Sequence, residues 1–244
     1  MSIVRTASGR ASLHRSVRLF RLFLAEQSDP NAFYSALAAD SVAQLGAFTR
    51  LSGASVLDVG GGPGYFGRAF KQAGARYIGV ELDAPTDVPA ETFAVSASGD
   101  ALPFRSTSLD VAYSSNVLEH VRHPWAMADE LVRVVKPGGT VFISFTPWLS
   151  PWGGHETAPW HYLGGGYARR RYKRRKGHEP KNRYGESLFG YRVSDALAWA
   201  RLQPDAELVA ALPRYHPRWA WWLVRVPLLR EFALWNLVIV LRRR

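Results

Sequence analysis

The chain has 244 residues, 47% of them apolar, and contains no cysteine, which excludes a disulfide framework, a thiolate metal site and a cysteine nucleophile. The formal net charge is +11, yet residues 52–147 hold seven basic and ten acidic side chains. The excess positive charge therefore lies in the flanks, where it favours an anionic partner.

The chain begins with two predicted helices, over residues 13–26 and 32–50. In the first, Val17, Phe20 and Leu24 recur at helical spacing, and Asp29-Pro30 is a start signal for the second. No stretch has the roughly 18 uninterrupted apolar residues of a membrane-spanning helix. No small-residue cleavage site of a signal peptide follows the apolar run near residue 20. We therefore expect a cytoplasmic protein.

Short apolar runs alternate with helical patterns from residue 55 onward. Strands are predicted at residues 56–59, 77–80, 93–96, 109–114 and 140–145, and helices at 64–73 and 124–135. This alternation indicates a parallel sheet with right-handed crossovers. Residues 147–190 show no clear period, and after them we predict a helix at 193–201 and strands at 207–212 and 232–241.

The strongest motif lies between Val56 and Phe66, where a strand ends in a glycine-rich turn and a helix follows. Glycine permits a positive φ and lets a ligand approach the backbone, and the helix N-terminus attracts an anionic group. Gly62-x-Gly64-x-x-Gly67 also matches a dinucleotide fingerprint, with Glu81 near the distance expected for a ribose ligand. These residues alone leave a nicotinamide cofactor as an alternative.

Residues 58–64, Asp-Val-Gly-Gly-Gly-Pro-Gly, resemble motif I of the class I S-adenosylmethionine-dependent methyltransferases. Further matches to that family follow in order at residues 78–81, 99–104, 108–111, 116–121 and 131–139. The pattern is most similar to small-molecule and lipid methyltransferases that include the quinone-biosynthesis enzymes. This resemblance implies an α/β fold: a Rossmann-like, doubly wound, mostly parallel seven-stranded sheet with helices on both faces. N-terminal helices and an insertion after the fifth strand would be added to it.

The resemblance also implies S-adenosylmethionine as the cofactor. Glu81 would accept hydrogen bonds from both ribose hydroxyls, and Asp100 from the adenine amine, while the Ala101 N–H would donate to the adenine ring. Asp58 would orient the loop or meet the ammonium group of the cofactor. The expected cofactor-binding residues are Asp58, Gly60, Gly61, Gly62, Gly64, Tyr65, Glu81, Leu82, Asp100, Ala101 and Asn116.

Three histidines are candidates for a general base, which is needed only if the methyl acceptor must lose a proton. His120 follows the fourth strand, at the edge where open α/β sheets bind ligands, although it is equally compatible with packing against the next helix. His155 and His161 lie in the segment without a clear period. Their spacing matches no known metal motif, so we predict no metal. We expect Glu119 to be structural.

Two flanking segments are rich in basic side chains, and the second is also rich in tryptophan. Residues 169–176 are basic except for one tyrosine, and residues 214–230 combine three tryptophans with arginine and aliphatic side chains. Tryptophan and arginine together suit a membrane interface, although packing over the sheet, RNA binding or simple solvation remain alternatives. We expect an anionic membrane surface as the partner, and nucleic acid is the less favoured alternative.

The chain is thus predicted to have four parts: an N-terminal helical extension (1–51), a cofactor-binding core (52–146), a basic and aromatic insertion (147–192) and a C-terminal completion of the sheet (193–244). The expected function is methyl transfer, by O-methylation, to a small amphiphile, a lipid or a lipid-linked sugar at the inner face of the membrane. The alternatives are an RNA-modifying or RNA-binding protein and a nicotinamide-dependent oxidoreductase.

Overall fold

The computed structural model describes residues 11–26, 28–83 and 95–244. The helices of this part of the chain are α1 (Leu13–Leu24), α2 (Pro30–Leu45), α3 (Tyr65–Gln72), α4 (Pro124–Val134), α5 (Gly165–Lys176), α6 (Val193–Leu202) and α7 (Leu229–Ala233). The strands are β1 (Ser55–Val59), β2 (Arg76–Glu81), β3 (Val95–Ser96), β4 (Leu109–Ser115), β5 (Val135–Phe145), β6 (Ala206–Pro213) and β7 (Leu237–Arg243). Part of the predicted third strand lies outside the described residues.

The seven strands form one sheet in the order β3-β2-β1-β4-β5-β7-β6. Neighbouring strands from β3 to β5 are parallel, whereas β7 runs antiparallel to both β5 and β6. The predicted Rossmann-like, mostly parallel seven-stranded fold is therefore confirmed. The carboxyl ends of β1, β2 and β4 meet at one edge, which is where ligands bind in open α/β sheets.

Helices cover both faces of the sheet, because side chains on neighbouring strand positions point to opposite faces. On one face α2 and α3 pack through Leu37 and Phe70 against Tyr113. On the other face α4 and α6 pack through Leu131 and Leu197. Both layers bury apolar surface, which provides the main favourable free energy of folding.

The two predicted N-terminal helices are present, with different bounds. The Asp29 carboxylate accepts from the Ala32 N–H at 3.0 Å and caps α2. The second helix ends at Leu45 rather than near residue 50. Arg15 of α1 forms a bidentate ion pair with Asp40 of α2, both N–O distances being 2.6 Å, and this pair attaches α1 to the rest of the molecule.

The segment without a clear period contains a regular helix, so that prediction was wrong over residues 165–176. Helix α5 holds the whole basic run, residues 169–176, and has hardly any apolar face, which is why apolar periodicity does not reveal it. Arginine and lysine are nevertheless good helix formers. Gly177 ends the helix with φ +78°, a conformation that favours glycine.

The last strand begins five residues later than predicted. Glu231 explains the difference, because its buried carboxylate accepts from the N–H groups of Val193 and Ser194, at 2.8 and 2.9 Å. These bonds cap the start of α6 and hold Glu231 within the short helix α7. The chain can enter β7 only after that helix.

No helix within residues 11–26, 28–83 and 95–244 is long and apolar enough to cross a membrane.

Candidate active site

The glycine-rich turn after β1 has the backbone conformation that its sequence predicts. Gly60, Gly62 and Gly64 adopt φ values of +80°, +64° and +94°, which L-residues with a side chain rarely adopt. A Cβ at Gly60 would lie 2.4 Å from the side chain of Val117, which follows β4. The turn is therefore held close to the neighbouring strand end, with its backbone open to a ligand.

The side chain of Asp58, in β1, lies against this turn. Its carboxylate is buried, and Oδ2 accepts from the Tyr77 hydroxyl at 3.0 Å, while Oδ1 has no hydrogen-bond partner among the described residues. A Cβ at Gly61 would lie 2.3 Å from Asp58 Oδ2, and one at Gly67 would lie 2.8 Å from the Tyr77 ring. Gly67, the third glycine of the dinucleotide fingerprint, therefore allows close packing against the Tyr77 ring. The unpartnered Oδ1 is available to an ammonium group.

Glu81 lies at the carboxyl end of β2 and faces the same turn. Its carboxylate is partly exposed and accepts a short hydrogen bond from the Gly62 N–H. Leu82, the next residue, has an exposed side chain. A carboxylate at this position can accept hydrogen bonds from two vicinal hydroxyls. The apolar side chain of Leu82 beside it can pack against a flat ring.

Asp100 and Ala101 lie in the loop after β3, but one of their expected roles is not compatible with this structure. The Ala101 N–H donates to the Ser98 carbonyl oxygen at 3.1 Å, so it closes a turn and does not point to a ligand. The Ser98 hydroxyl also donates to the Asp100 carboxylate. The prediction that the Ala101 N–H donates to a ring is wrong for this conformation.

Asn116 connects the glycine-rich turn to the C-terminal part of the sheet. It follows β4 with φ +57°, and its side-chain oxygen accepts from the Asn236 amide at 2.7 Å. Asn236 directly precedes β7, and Phe145 at the carboxyl end of β5 pairs with Leu237. The carboxyl edge therefore continues from the cofactor side to the region beside β5 and β7.

Arg214, which follows β6, is 1% exposed, and sequence reasoning missed this burial by assigning it to a surface segment. Its Nη1 donates to the hydroxyls of Ser115 and Ser144, both at 2.7 Å, and Nη2 donates to the hydroxyl of Ser41. No carboxylate hydrogen-bonds to this guanidinium in the described part of the chain. Arg214 thus joins α2 to the ends of β4 and β5, so at this residue of the segment 214–230 the packing alternative applies.

His120 and His155 come together at the carboxyl end of β4, 35 residues apart in sequence. Their ring centroids are 5.1 Å apart, and His155 lies in a short 3-10 turn of the insertion. Burial lowers the pKa of His155 to about 4, so its imidazole is neutral at neutral pH. Glu119 lies beside them, with Oε1 accepting from the Thr146 N–H at 3.0 Å. This bond is consistent with the structural role expected for Glu119. The second carboxylate oxygen, Oε2, takes no part in it.

His161 does not join this pair. Its buried ring packs against Trp148 and Tyr162, and Nε2 lies 3.1 Å from the Ser150 carbonyl oxygen. Burial lowers its pKa. These contacts give His161 a packing role in the insertion, so of the three histidine candidates only His120 and His155 lie together.

Aromatic side chains form a continuous line of contacts from the glycine-rich turn to the start of β7. Tyr65, the first residue of α3, stacks on Tyr34 at 5.7 Å between ring centroids. The line continues through Phe33 and Phe23 to Trp152 and Trp235, with centroid separations between 5.1 and 6.3 Å. We call these six residues the aromatic wall. Sequence reasoning did not find it, because its members come from five separate segments.

Residues 57–143 match the family model of the methyltransferase domain. A protein from Mycolicibacterium vanbaalenii called an uncharacterized methyltransferase is 54% identical over 249 residues, covering 96% of each chain. The chain belongs to the methyltransferase family. Proteins from Mycobacterium avium and Mycobacterium marinum with the same description are 53% and 50% identical, covering 96% and 100% of each chain.

Solved structures agree with this methyltransferase in fold. An S-adenosylmethionine-dependent methyltransferase from Mesorhizobium loti aligns with a TM-score of 0.53 and 20% identity, over 80% of this chain and 93% of its own. A magnesium protoporphyrin IX methyltransferase from Synechocystis with bound SAH gives 0.52 and 16%, over 89% and 87%. Family and fold together identify S-adenosylmethionine as the cofactor. The open glycine backbone, the free Asp58 oxygen and Glu81 all fit it.

The stability of the methyltransferase is expected to fall between pH 4 and pH 8 through Asp58. Burial raises the pKa of Asp58 to about 8, so the folded protein holds a proton that the unfolded chain releases near pH 4. One pKa unit is worth about 1.4 kcal/mol, so this contribution amounts to several kcal/mol. Asp58→Asn cannot ionise, and its free energy of unfolding should stay flatter across this range. Urea unfolding at pH 5 and pH 8 measures the difference, and parallel losses in both proteins would contradict it.

Proposed function

We propose that this protein transfers a methyl group from S-adenosylmethionine to a hydroxyl oxygen of an amphiphilic acceptor, a lipid or a lipid-linked sugar, at an anionic membrane surface. The observation that carries the proposal is the aromatic wall. It starts at Tyr65 beside the cofactor loop and continues through α2, α1 and the insertion to Trp235. An extended apolar wall next to the methyl donor suits an acceptor with a long apolar part.

Large apolar side chains are also exposed in the residues that precede Trp235 along the chain. Trp219 is 71% exposed and Leu228 is 76% exposed, and both lie in the tryptophan-rich segment before β7. Phe232 contacts Tyr162 of the insertion at 6.3 Å between ring centroids, and both side chains are exposed. Tryptophan at a water-exposed apolar surface is typical of proteins that bind the membrane interface.

Helix α5 adds positive charge in the same insertion. Arg169 is paired with Glu179 and Glu186 at 2.9 and 2.7 Å, and Lys173 is paired with Glu179 at 3.0 Å. The other basic residues of the helix have no carboxylate partner within the described ranges; they are Arg170, Arg171, Arg174, Arg175 and Lys176. Because Arg171 covers the ring of Trp160 at 3.8 Å, the helix is attached to the aromatic part of the insertion. Unpaired charges there attract anionic headgroups.

Different residues of the site have different roles in the reaction. When bound, the cofactor supplies a methyl group on a positively charged sulfur, which leaves in line toward the acceptor oxygen. Glu81 and the loop supported by Asp58 hold the donor in place. The aromatic wall orients the acceptor and excludes water, and such alignment is a large part of rate acceleration in bimolecular reactions. The acceptor hydroxyl must lose its proton, and His120, His155 and Glu119, which lie together at this edge, are the groups that would promote that loss.

The proposal is tested by methyl transfer to vesicles. The protein is incubated with methyl-labelled S-adenosylmethionine and anionic vesicles that contain a bacterial lipid extract, and label is expected in the organic phase. Replacing both Trp219 and Trp222 with serine should reduce vesicle binding and labelling about tenfold or more, because each tryptophan buries apolar surface at the interface. SAH binding should be unchanged, because neither side chain belongs to the cofactor loop.

The exposed Leu202 at the end of α6 provides a matched control, and Leu202→Ser should retain vesicle binding. The proposal fails if no label enters the organic phase, or if RNA added to the same reaction takes the label instead.

A further inference from the structure

Three potential metal ligands converge at the carboxyl end of β4. Glu119, His120 and His155 each offer one donor atom, and all three atoms lie within 4.8 Å of one another. Two of them belong to the 3-10 turn after β4, and the third belongs to the insertion. We propose that these residues bind one divalent transition-metal ion of the Zn²⁺ type. The expectation of no metal rested on sequence spacing, which does not account for a ligand from a distant segment.

Two of the three ligands are oriented by a second contact. His120 Nδ1 lies 2.7 Å from the carbonyl oxygen of Ser187, so its N–H donates there and Nε2 keeps its lone pair. Glu119 Oε1 accepts from the Thr146 N–H, which fixes the plane of the carboxylate. A histidine that donates its other N–H to a backbone carbonyl is the usual arrangement around a metal. The polypeptide around this site therefore supplies outer contacts as well as ligands.

The remaining donor atoms have no partner of their own. Glu119 is 1% exposed, and its Oε2 has no hydrogen-bond partner in the described part of the chain. The Nε2 atom of His155 is likewise buried and unpartnered. No lysine or arginine forms an ion pair with Glu119 there. Burying polar atoms without partners costs free energy, and a bound cation would satisfy both atoms at once.

His155 is also held in a conformation that its side chain does not favour. Its φ is +47°, which lies in the left-handed region and is uncommon for a residue with a Cβ. Such strain persists only where the surrounding structure imposes it, and it is concentrated at functional sites. Here the His155 N–H donates to the Trp152 carbonyl oxygen at 2.9 Å. This bond connects the ligand turn to the aromatic wall.

The donor set defines the class of ion. Two imidazole nitrogens and one carboxylate oxygen are typical of Zn²⁺ and other borderline divalent ions, whereas Mg²⁺ and Ca²⁺ prefer oxygen ligands. Donors around a tetrahedral ion with bonds of about 2.0–2.1 Å lie roughly 3.4 Å apart, so the three residues must move closer when the ion binds. The 3-10 turn that carries His155 is short, and a small shift of it is sufficient. Three protein ligands leave one position open, as in catalytic sites.

The open position gives the ion a role that rests on the proposed function. An acceptor hydroxyl bound there would have a lower pKa, as metal-bound water does. Its proton would pass to solvent, the oxygen would form a bond to the methyl carbon, and the carbon–sulfur bond would break with its electron pair remaining on sulfur. The ion would thus activate the acceptor at the end of the wall, while the glycine-rich loop holds the donor.

Metal binding is tested without cofactor or acceptor. Chelator-treated protein is titrated with Zn²⁺ by calorimetry and with Co²⁺ by visible absorption, and one ion per chain is expected. His155→Gln and Glu119→Gln should each weaken binding by about 100-fold or more, because even outer contacts contribute 10–100-fold. His178→Gln is the matched control, since His178 is exposed and lies outside the cluster, and it should bind like the wild type.

The proposal is overturned if the wild type binds no ion, or if His155→Gln binds as tightly as the wild type while its circular dichroism is unchanged. A double variant with His120→Gln and His155→Gln, folded by the same criterion, should bind no ion. Failure here is distinguishable from failure of the proposed function. Label transferred to lipid by a protein that binds no metal would refute the ion alone, whereas metal binding without lipid labelling would refute the lipid acceptor alone.

Discussion

Glu81→Gln is expected to weaken SAH binding about 100-fold. Two hydrogen bonds from ribose hydroxyls to a carboxylate are each worth about 1.5–3 kcal/mol, and each 1.4 kcal/mol corresponds to a factor of ten in Kd. The ligand-free protein already uses one carboxylate oxygen to accept from the Gly62 N–H, which reduces the net gain on binding. A loss of about 3 kcal/mol is therefore a reasonable expectation. Isothermal titration with SAH measures it directly.

Asp83→Asn is the matched control for this experiment. Asp83 is an exposed carboxylate two residues further along the same turn, and its replacement removes the same charge. SAH affinity should then change little, because exposed charges are screened by salt. If Glu81→Gln and Asp83→Asn bind SAH equally well, Glu81 does not hold the ribose. Protection from heat by NAD but not by SAH would contradict the assigned cofactor itself.

Gly153→Ala is expected to destabilise the insertion by about 3 kcal/mol, at the upper end for added atoms in a packed interior. A Cβ at this position would lie 2.0 Å from the carbonyl oxygen of Trp148 and 2.5 Å from that of Pro147. Both are backbone atoms, which cannot rotate away as a side chain can. Gly153 directly follows Trp152 of the aromatic wall and precedes His155 by two residues. Methyl transfer should therefore fall together with stability.

Gly166→Ala tests whether this effect depends on the site. Gly166 lies in α5, where a Cβ would meet only the end of the Arg170 side chain, at 3.4 Å. Its replacement should change the free energy of unfolding by no more than about 1 kcal/mol, since alanine is the better helix former. Urea unfolding followed by tryptophan fluorescence compares the two variants. Equal urea midpoints for the two variants would show that the backbone around Gly153 can move to make room for a Cβ.

The cofactor side could be predicted from the sequence because its determinants are local. Gly60, Gly62 and Gly64 are needed for positive φ values within one turn, and Glu81 marks the end of the next strand. Neighbouring parallel strands bring their carboxyl ends to one edge whatever the rest of the chain does. The residues involved could therefore be named without knowledge of distant contacts, and their roles toward the cofactor stay predictions.

The acceptor side could not be predicted, because its contacts depend on distant segments. Phe23 and Trp152 meet across 129 positions of the chain, and nothing in either local sequence indicates the other. Arg214 was expected at the surface because arginine is rarely buried, yet three serine hydroxyls around it accept its hydrogen bonds. Helix α5 was missed for a different reason, since it has almost no apolar period to detect.

The way the aromatic wall is assembled has a consequence for how acceptor preference can diverge. Five of its six members come from α1, α2, the insertion and the residues before β7, whereas Tyr65, the glycine-rich turn and Glu81 come from one continuous stretch. If the wall binds the acceptor as proposed, a substitution at Phe23 or Trp152 changes the shape available to it and leaves the backbone of the turn untouched. Descendants of one ancestral enzyme can therefore acquire different acceptors while keeping the same methyl donor.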